Sequence, residues 1–388
     1  MSAPAKLRIG YIPLADAAAL IVAVDKGFAA AEHLDIELVR EVSWSNVRDK
    51  LNIGLFDAAH LLAPVAIASS LGLGHVKVSI LAPFVLAGNG NAITVSPPLF
   101  AALAGAAGGD ITSPIVSARA LAHTVAARRA KGQEPLTLGM TFPFSNHNYQ
   151  LRFWMAAGGV DPDEDVRLVV LPPPYMVDSL AKGHVDGFCV GAPWNSLAVD
   201  IGVGRILHFG SEIIARAAEK VLAVRAAWAG DHPDIVTRLI RALERAAQFV
   251  ADPANGDGVA ELVAARVGVT AELIRRTLEG RLKVAPDGGT RTDARYLLVG
   301  REGAARPHPV QAAWAYAQMV RWGQAPMSAD LLAAAQAVFR PDLYDAVAGS
   351  PTATARVPED GVGAFAGPAF APADIAGHLS SWTIKRPG

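Results

Sequence analysis

The sequence predicts an α/β protein with two lobes and a ligand cleft between them. Its 388 residues are more than one compact domain usually contains. Short apolar runs alternate with helical patterns over residues 1–96, and a second series of such units follows. This alternation is typical of strands and helices arranged around parallel sheets. A hydrophobic content of 52% with 18% charged residues is typical of a well-packed globular chain.

The first lobe is predicted to open with a βα unit. A strand covers Leu7 to Tyr11, a turn follows at Pro13, Asp16 caps a helix and Gly27 ends it. The next predicted elements are a strand over 37–42, a helix capped within 43–46 that runs through 52, a strand ending in 56–61, and paired strands over 78–86 and 92–95 around a turn at 88–90. The small residues 101–110 are predicted to be a linker or loop.

The second half of the chain repeats the pattern. The predicted elements are a helix over 116–129, a strand over 136–141, a helix entered through 144–147, strands over 166–171 and 187–191, a strand over 221–224 and a helix over 235–250. Three prolines at 172–174 predict an extended turn. We therefore assign residues 1–96 and 219–388 to lobe I and residues 97–218 to lobe II.

Bulk properties exclude several classes of protein. A net charge of −1 lacks the basic footprint of a nucleic-acid binder. No uncharged apolar stretch reaches the roughly 18 residues that a membrane-spanning helix needs. The single Cys189 permits no internal disulfide, which agrees with a reducing compartment. The first strand follows Met1 closely, without the pattern of an export signal, so we expect a cytoplasmic protein.

Motifs for metal binding and catalysis are weak. No two histidines have the spacing of a zinc helix. The run Asp161, Asp163 and Asp165 resembles the start of a calcium loop, but Val166 and Pro172 occupy positions where that loop needs Gly and Glu. We predict no metal, cofactor or catalytic residue. A Ser-His-Asp site has no fixed sequence spacing, so an enzyme acting on a small carboxylate in the same cleft remains an alternative.

Four polar residues lie at predicted loop or strand ends where the two lobes would face each other: Trp44, Asn91, His147 and Lys220. Each has an ordinary interpretation: a core indole, a turn amide, a capping or surface histidine, and a solvated lysine before a strand. Together they supply directional N–H donors and one positive charge, which is what a small buried oxyanion requires. The set predicts anion binding between the lobes.

Several ordered stretches resemble the nitrate/bicarbonate-binding family of two-lobed solute-binding proteins. They are Gly10–Asp16, Ser43-Trp44 with Arg48-Asp49, Asn89–Ile93, His147 with Arg152–Gly159, Pro172–Pro174, Phe188–Gly191 with Pro193–Asn195, and Glu219-Lys220 with Arg225–Trp228. The resemblance covers nearly the whole chain. It implies a periplasmic-binding-protein-like fold of type II and nitrate ligands at Trp44, Asn91, His147 and Lys220. Bicarbonate-binding members carry an acidic residue at the lysine position and use calcium, so Lys220 favours nitrate or nitrite without metal.

Two departures from the family pattern narrow the expected function. Asn91 stands where transport members have Gln, and Ala192 replaces a common acidic residue. With the expected cytoplasmic location, these features resemble nitrate/nitrite sensors of the NasS type, which are thought to control an RNA-binding antiterminator of the ANTAR type. We therefore predict a non-enzymatic sensor with no direct contact to nucleic acid or membrane. The alternative is the substrate-binding component of a nitrate ABC transporter.

Overall fold

The computed structural model describes residues 3–349 and 358–386. The strands are β1 Ala5–Tyr11, β2 Leu34–Arg40, β3 Ala58–Leu62, β4 Ile80–Asn89, β5 Asn91–Val95, β6 Thr137–Met140, β7 Arg167–Val170, β8 Gly187–Gly191, β9 Arg205–Phe209, β10 Ala218–Arg225, β11 Arg281–Lys283, β12 Thr290–Thr292 and β13 Leu297–Leu298. The helices are α1 Ala18–Asp25, α2 Phe28–Ala31, α3 Trp44–Asn52, α4 Ala63–Leu71, α5 Pro97–Ala106, α6 Pro114–Ala130, α7 Asn146–Ala157, α8 Met176–Ala181, α9 Trp194–Asp200, α10 Gly210–Ile213, α11 Ala226–Asp231, α12 Pro233–Ala251, α13 Gly256–Val267, α14 Ala271–Glu279, α15 Pro309–Arg321, α16 Ala329–Val338, α17 Pro341–Ala348 and α18 Ile375–Ser380. Short 3-10 helices cover Ala15–Ala17, Pro173–Tyr175 and Pro253–Asn255.

Two mixed sheets form the two lobes, which confirms the predicted fold class. Lobe I contains a six-stranded sheet in the order β13-β4-β10-β3-β1-β2. Lobe II contains a five-stranded sheet in the order β7-β6-β8-β5-β9. In each sheet the βα units supply parallel neighbours, while β10 in lobe I and β5 in lobe II run antiparallel to the strands beside them. The return strand β10 thus lies inside the sheet of lobe I.

The chain passes from lobe I to lobe II at a single residue, Gly90. β4 ends at Asn89 and β5 begins at Asn91, but the two strands belong to different sheets. The predicted pairing of these strands around a turn at 88–90 is therefore wrong, because β4 pairs with β10 and β13 while β5 pairs with β8 and β9. Gly90 instead turns the chain with φ +95°, a conformation that favours glycine. The boundary between the sheets therefore lies before residue 91, whereas the sequence analysis placed the boundary between the lobes after residue 96.

Residues 101–110 are not simply a linker. Most of them belong to α5, which begins at Pro97 after the N-cap Ser96, whose hydroxyl accepts from the Leu99 N–H at 3.3 Å. Leu99 and Leu103, one turn apart, are both buried. Alanine and leucine are strong helix formers, and proline is favoured at the first helical position. The small-residue composition therefore forms a helix here.

The C-terminal part of the chain contacts both lobes. α15 packs against α4 in lobe I, and its Trp314 ring meets Tyr149 of α7 in lobe II edge-on, with centroids 6.5 Å apart. Phe153, also on α7, packs against Phe365 and Trp382. The sequence-based assignment placed residues 219–388 in lobe I alone. The packing shows that the segment from α15 onward bridges the two lobes.

The aspartates that resemble the start of a calcium loop bind basic side chains instead. Arg386 bonds to Asp161 and Asp163, with Nη1 2.9 Å from an Asp161 oxygen and Nε 2.8 Å from an Asp163 oxygen. Arg129 binds Asp165 at 2.6 Å. Within residues 3–349 and 358–386, no group of three or more His, Cys, Asp or Glu side chains is arranged to hold a metal ion. No helix of this part of the chain is long and apolar enough to cross a membrane.

Candidate functional site

A buried group of polar side chains lies where the two lobes meet. We call it the interlobe cluster; it consists of Asp16, Trp44, His60, Asn91, His147, Gln150, Glu219 and Lys220. Each of these residues is no more than 1% exposed. Polar groups buried this completely are costly unless they are paired, so their grouping needs an explanation beyond packing.

Local structure places the residues of the cluster. Trp44 begins α3 directly after the N-cap Ser43, whose hydroxyl accepts from the Asn46 N–H at 3.3 Å. His147 lies in the first turn of α7, behind the corresponding cap at Ser145. The sequence predicted His147 just before a helix and Lys220 just before a strand. Both residues belong to those elements, α7 and β10.

Lys220 is held between two carboxylates. Its Nζ lies 2.9 Å from Asp16 Oδ2 and 3.0 Å from Glu219 Oε1, and 5.3 Å from the centre of the Trp44 ring. Burial would lower the pKa of Lys220, but the two carboxylates outweigh it and raise that pKa. Burial would raise the pKa of Asp16, but Lys220 and His60 outweigh it and lower that pKa to about 2. Burial would also raise the pKa of Glu219, but Lys220 and His147 outweigh it and lower that pKa. The ammonium and both carboxylates are therefore ionised.

A bulge in β10 brings Glu219 and Lys220 to the same cluster. Successive side chains of a regular strand point to opposite faces of the sheet. The pairing of β10 with β4 shifts register on either side of Lys220, between Ala218 and Lys220 and again between Lys220 and Val221. Such irregularities redirect side chains and occur often near functional sites.

The two histidines of the cluster are neutral near pH 7. His147 Nδ1 lies 2.9 Å from Thr141 Oγ1, and its Nε2 lies 3.5 Å from Glu219 Oε1. Burial lowers the pKa of His147 to about 4, although the charge of Glu219 opposes this shift. Burial also lowers the pKa of His60, whose Nε2 lies 2.9 Å from Asp16 Oδ1. The cluster therefore carries one net negative charge, from one positive charge on Lys220 and two negative charges on Asp16 and Glu219.

Asn91 lies in the cluster, but its N–H groups are engaged within the protein. Its Nδ2 donates to Gln150 Oε1 at 3.1 Å and to Glu219 Oε2 at 2.8 Å. An amide nitrogen has only two hydrogens, so neither is left for a ligand in this arrangement. The sequence-based expectation that Asn91 donates to an anion does not match these contacts. The neighbouring amide Nε2 of Gln150 has no hydrogen-bond partner in the described residues.

Further buried atoms of the cluster have no hydrogen-bond partner among residues 3–349 and 358–386. They include Trp44 Nε1, His60 Nδ1, His147 Nε2 and Asn91 Oδ1. Gly191 of β8 marks a point where three side chains converge. A Cβ added there would stand 3.3 Å from Asp16 Oδ2, 3.6 Å from Asn91 Oδ1 and 3.7 Å from His147 Nε2. Glycine at this position therefore keeps space open between polar groups of both lobes.

The structure brings together all four residues that the sequence singled out. It also adds Asp16, His60, Gln150 and Glu219, which sequence reasoning did not select. Asp16 was predicted to cap a helix; it lies within the 3-10 helix 15–17 and bonds to His60 and Lys220. Glu219, next to Lys220, was visible in the sequence, but normal strand alternation would have placed it on the opposite face.

The chain has the two-lobed fold of solute-binding proteins, with polar groups from both lobes facing one another where the lobes meet. The crystal structure of the periplasmic nitrate-binding protein NrtA from Synechocystis PCC 6803 matches with a TM-score of 0.88 and 27% identity, covering 99% of this chain and 100% of that one. The chain belongs to the NMT1-like family, whose model matches residues 2–264.

Several relatives of this chain are named for the binding or import of small anions. The nitrate/nitrite binding protein NrtA of Nostoc sp. PCC 7120 is 30% identical over 98% of this chain and 86% of that protein. The bicarbonate-binding protein CmpA of Synechococcus sp. PCC 6301 is 29% identical over 98% of this chain and 87% of that protein. The nitrate import ATP-binding protein NrtC of Synechocystis sp. PCC 6803 is 32% identical over 98% of this chain.

The match to NrtC has a limited extent. This chain spans about half the length of that relative, 55% of it. NrtA and CmpA are named as binding proteins, and this chain spans most of each of them, 86% and 87%.

Proposed function

We propose that the chain binds nitrate or nitrite between its two lobes, at the interlobe cluster. The observation that carries this proposal is that buried ring nitrogens of both lobes, Trp44 Nε1 in lobe I and His147 Nε2 in lobe II, make no hydrogen bond within the described residues. The indole N–H donates, and so does the imidazole when Thr141 donates to its Nδ1. Nitrate has three acceptor oxygens, so such donors match it.

Lys220 takes a different part in this proposal from the one that the sequence suggested. Its charge is already shared by Asp16 and Glu219, so it is not a free cation waiting for an anion. An added anion is stabilised chiefly by N–H donors aimed at its oxygens, with Lys220 limiting the repulsion from the two carboxylates. Asn91 orients Gln150 and Glu219, and Gln150 Nε2 supplies the amide donor that the family pattern leads one to expect at residue 91.

Calorimetry with nitrate, nitrite and bicarbonate in the presence of a calcium chelator tests this function. We expect nitrate or nitrite to bind at one site. Trp44→Phe should weaken binding by about 10- to 100-fold, since a hydrogen bond to a charged group contributes about 1.5–3 kcal/mol. Trp228→Phe is the matched control, because Trp228 is also buried but stacks on His232, outside the cluster. Equal nitrate affinities in the two variants would contradict the assignment.

Bicarbonate is the second candidate ligand. It carries an O–H group that could donate to Asn91 Oδ1, a buried acceptor without a partner in the described residues. The relationship to CmpA supports the same possibility. Binding of bicarbonate but not of nitrate, lost when calcium is chelated, would favour this candidate over the proposed one.

We further propose that the protein is a cytoplasmic sensor in which nitrate or nitrite controls an ANTAR-type antiterminator. The support is the sequence resemblance, with Asn91 and Ala192 as its distinguishing residues. The relationship to NrtA and NrtC supports the alternative of a transporter component equally well. Ligand controls a partner only through different affinities for two states, and the effect is reciprocal.

Reciprocity supplies the experiment that separates the sensor from the transporter component. A sensor should bind the antiterminator without nitrate, release it with nitrate, and bind nitrate more weakly when the antiterminator is saturating. The same factor should describe both changes. No complex in the absence of nitrate, together with nitrate-dependent stimulation of an importer's ATPase, would favour the transporter component.

A further inference from the structure

A cavity lined by both apolar and polar residues lies beside the point where the chain passes between the lobes. Its volume is about 190 Å³. Its lining includes Gly88, Arg216, Ala217, Arg306, His308 and Gln311. Gly88 precedes the first crossing at Gly90, and Ala217 precedes the return strand β10. We call this space the crossover cavity; it shares no residue with the interlobe cluster.

Arg216 carries the most informative side chain of the crossover cavity. The residue is 7% exposed, and its Nη1 has no hydrogen-bond partner within the described parts of the chain. This nitrogen pairs with Glu302 Oε2 at 3.7 Å. The same carboxylate oxygen lies 3.1 Å from Arg295 Nε. Glu302 is thus shared and does not fully satisfy the Arg216 guanidinium. The Nη2 of Arg216 donates to the Glu302 carbonyl oxygen, so Nη1 is the atom without a hydrogen bond. A buried charged donor that makes no hydrogen bond is costly, so an anion at this position is favoured.

Three further residues with polar side chains, Arg306, His308 and Gln311, lie in the cavity wall, which is otherwise apolar. Arg306 lines it while bonding to Asp345 at 2.7 Å through two nitrogens. His308 is the N-cap of the 13-residue helix α15, and Gln311 is the third residue of that helix. Both line the cavity, so the positive end of the helix dipole lies at its wall. Burial lowers the pKa of His308, and the charges of Arg306 and Arg216 lower it further.

We infer that the crossover cavity is a second anion site, which takes a small oxyanion of the sulfate or phosphate class. Two guanidinium groups, the start of α15 and the Gln311 amide line a space below the 300–1,000 Å³ typical of sites for drug-sized ligands, and Arg216 Nη1 is a donor that no described residue engages. The inference does not depend on nitrate binding at the interlobe cluster.

Calorimetry with inorganic sulfate, and separately with inorganic phosphate, tests the site in the full chain. Arg216→Gln should weaken binding by about 10- to 100-fold, because it removes a charged donor. Arg216→Lys should retain part of the affinity, since it keeps the charge. Arg275→Gln is the control, because Arg275 lies on α14 in exposed ion pairs with Glu272 and Glu279. If Arg216→Gln does not fold, Gln311→Leu replaces it and should also weaken binding.

A substitution in the interlobe cluster distinguishes anion binding at the crossover cavity from anion binding at the cluster. His147→Ala should keep sulfate binding while it weakens nitrate binding, and Arg216→Gln should do the reverse. Loss of sulfate binding in His147→Ala would place the anion in the cleft and overturn the inference. Absence of binding at millimolar sulfate and phosphate, or binding that Arg216→Gln leaves unchanged, would overturn it as well.

Discussion

Replacing Lys220 by methionine should destabilise the protein strongly, apart from any effect on ligand binding. The substitution removes the ammonium but leaves Asp16 and Glu219 buried, at most 1% exposed. At an effective dielectric constant of about 20, each contact near 3 Å between opposite charges provides about 5–6 kcal/mol of Coulomb attraction. Desolvation of the lysine offsets much of this attraction, and the orphaned carboxylates can take up protons.

We therefore expect Lys220→Met to lower the free energy of unfolding by about 3–5 kcal/mol, the usual cost of removing one partner from a buried ion pair. That loss is a large part of the roughly 5–15 kcal/mol by which folded proteins are stable. Urea unfolding followed by circular dichroism measures it. The cost should shrink as the pH is lowered, because the two carboxylates then become protonated.

A triple variant provides the matched control. Adding Asp16→Asn and Glu219→Gln to Lys220→Met removes all three charges together, and buried ion pairs replaced by neutral groups often cost little. We expect the triple variant to regain most of the lost stability, which is the non-additivity expected of residues in contact. A cost below about 1 kcal/mol for Lys220→Met alone, in the range of an exposed ion pair, would refute this account.

Two other predictions concern the cluster. Gly191→Ala should reduce nitrate affinity at least tenfold (about 1.4 kcal/mol) without unfolding the chain, because its methyl group would stand among three cluster atoms; Gly105→Ala, in open space, is the control for calorimetry. The pH dependence of urea unfolding should show stability falling as the pH is lowered from 6.5 to about 4, where the unfolded chain protonates His147 and the folded chain does not. The slope should approach about 1.4 kcal/mol per pH unit from this group and decrease in His147→Gln; an unchanged slope would count against a neutral buried His147.

Local signals in the sequence predicted most of the described strands but fewer than half of the described helices. β8 has the predicted bounds, 187–191, because a short apolar run between polar segments is typical of a buried strand. The N-caps Ser43 and Ser145 place Trp44 and His147 at helix starts, and this local chemistry is what made those two residues recognisable.

Long-range pairing was harder to predict. The separation of β4 from β5 depends on which sheet each strand joins, and strand periodicity contains no such information. The partners of Lys220 were missed for two reasons. Asp16 is distant in sequence, and Glu219 reaches the cluster only because β10 departs from regular alternation. The two carboxylates that neutralise Lys220 therefore could not be identified from the sequence alone.

The bridging C-terminal segment should make the two lobes unfold as one cooperative unit. Its rings Phe365 and Trp382 pack on Phe153, and Arg386 pairs with Asp161 and Asp163, all in lobe II, while α15 packs against lobe I. Unfolding of either lobe would break the contacts between that lobe and the C-terminal segment, so heat should unfold both lobes in a single transition. A chain cut before α15 should instead unfold in two stages, one for each sheet.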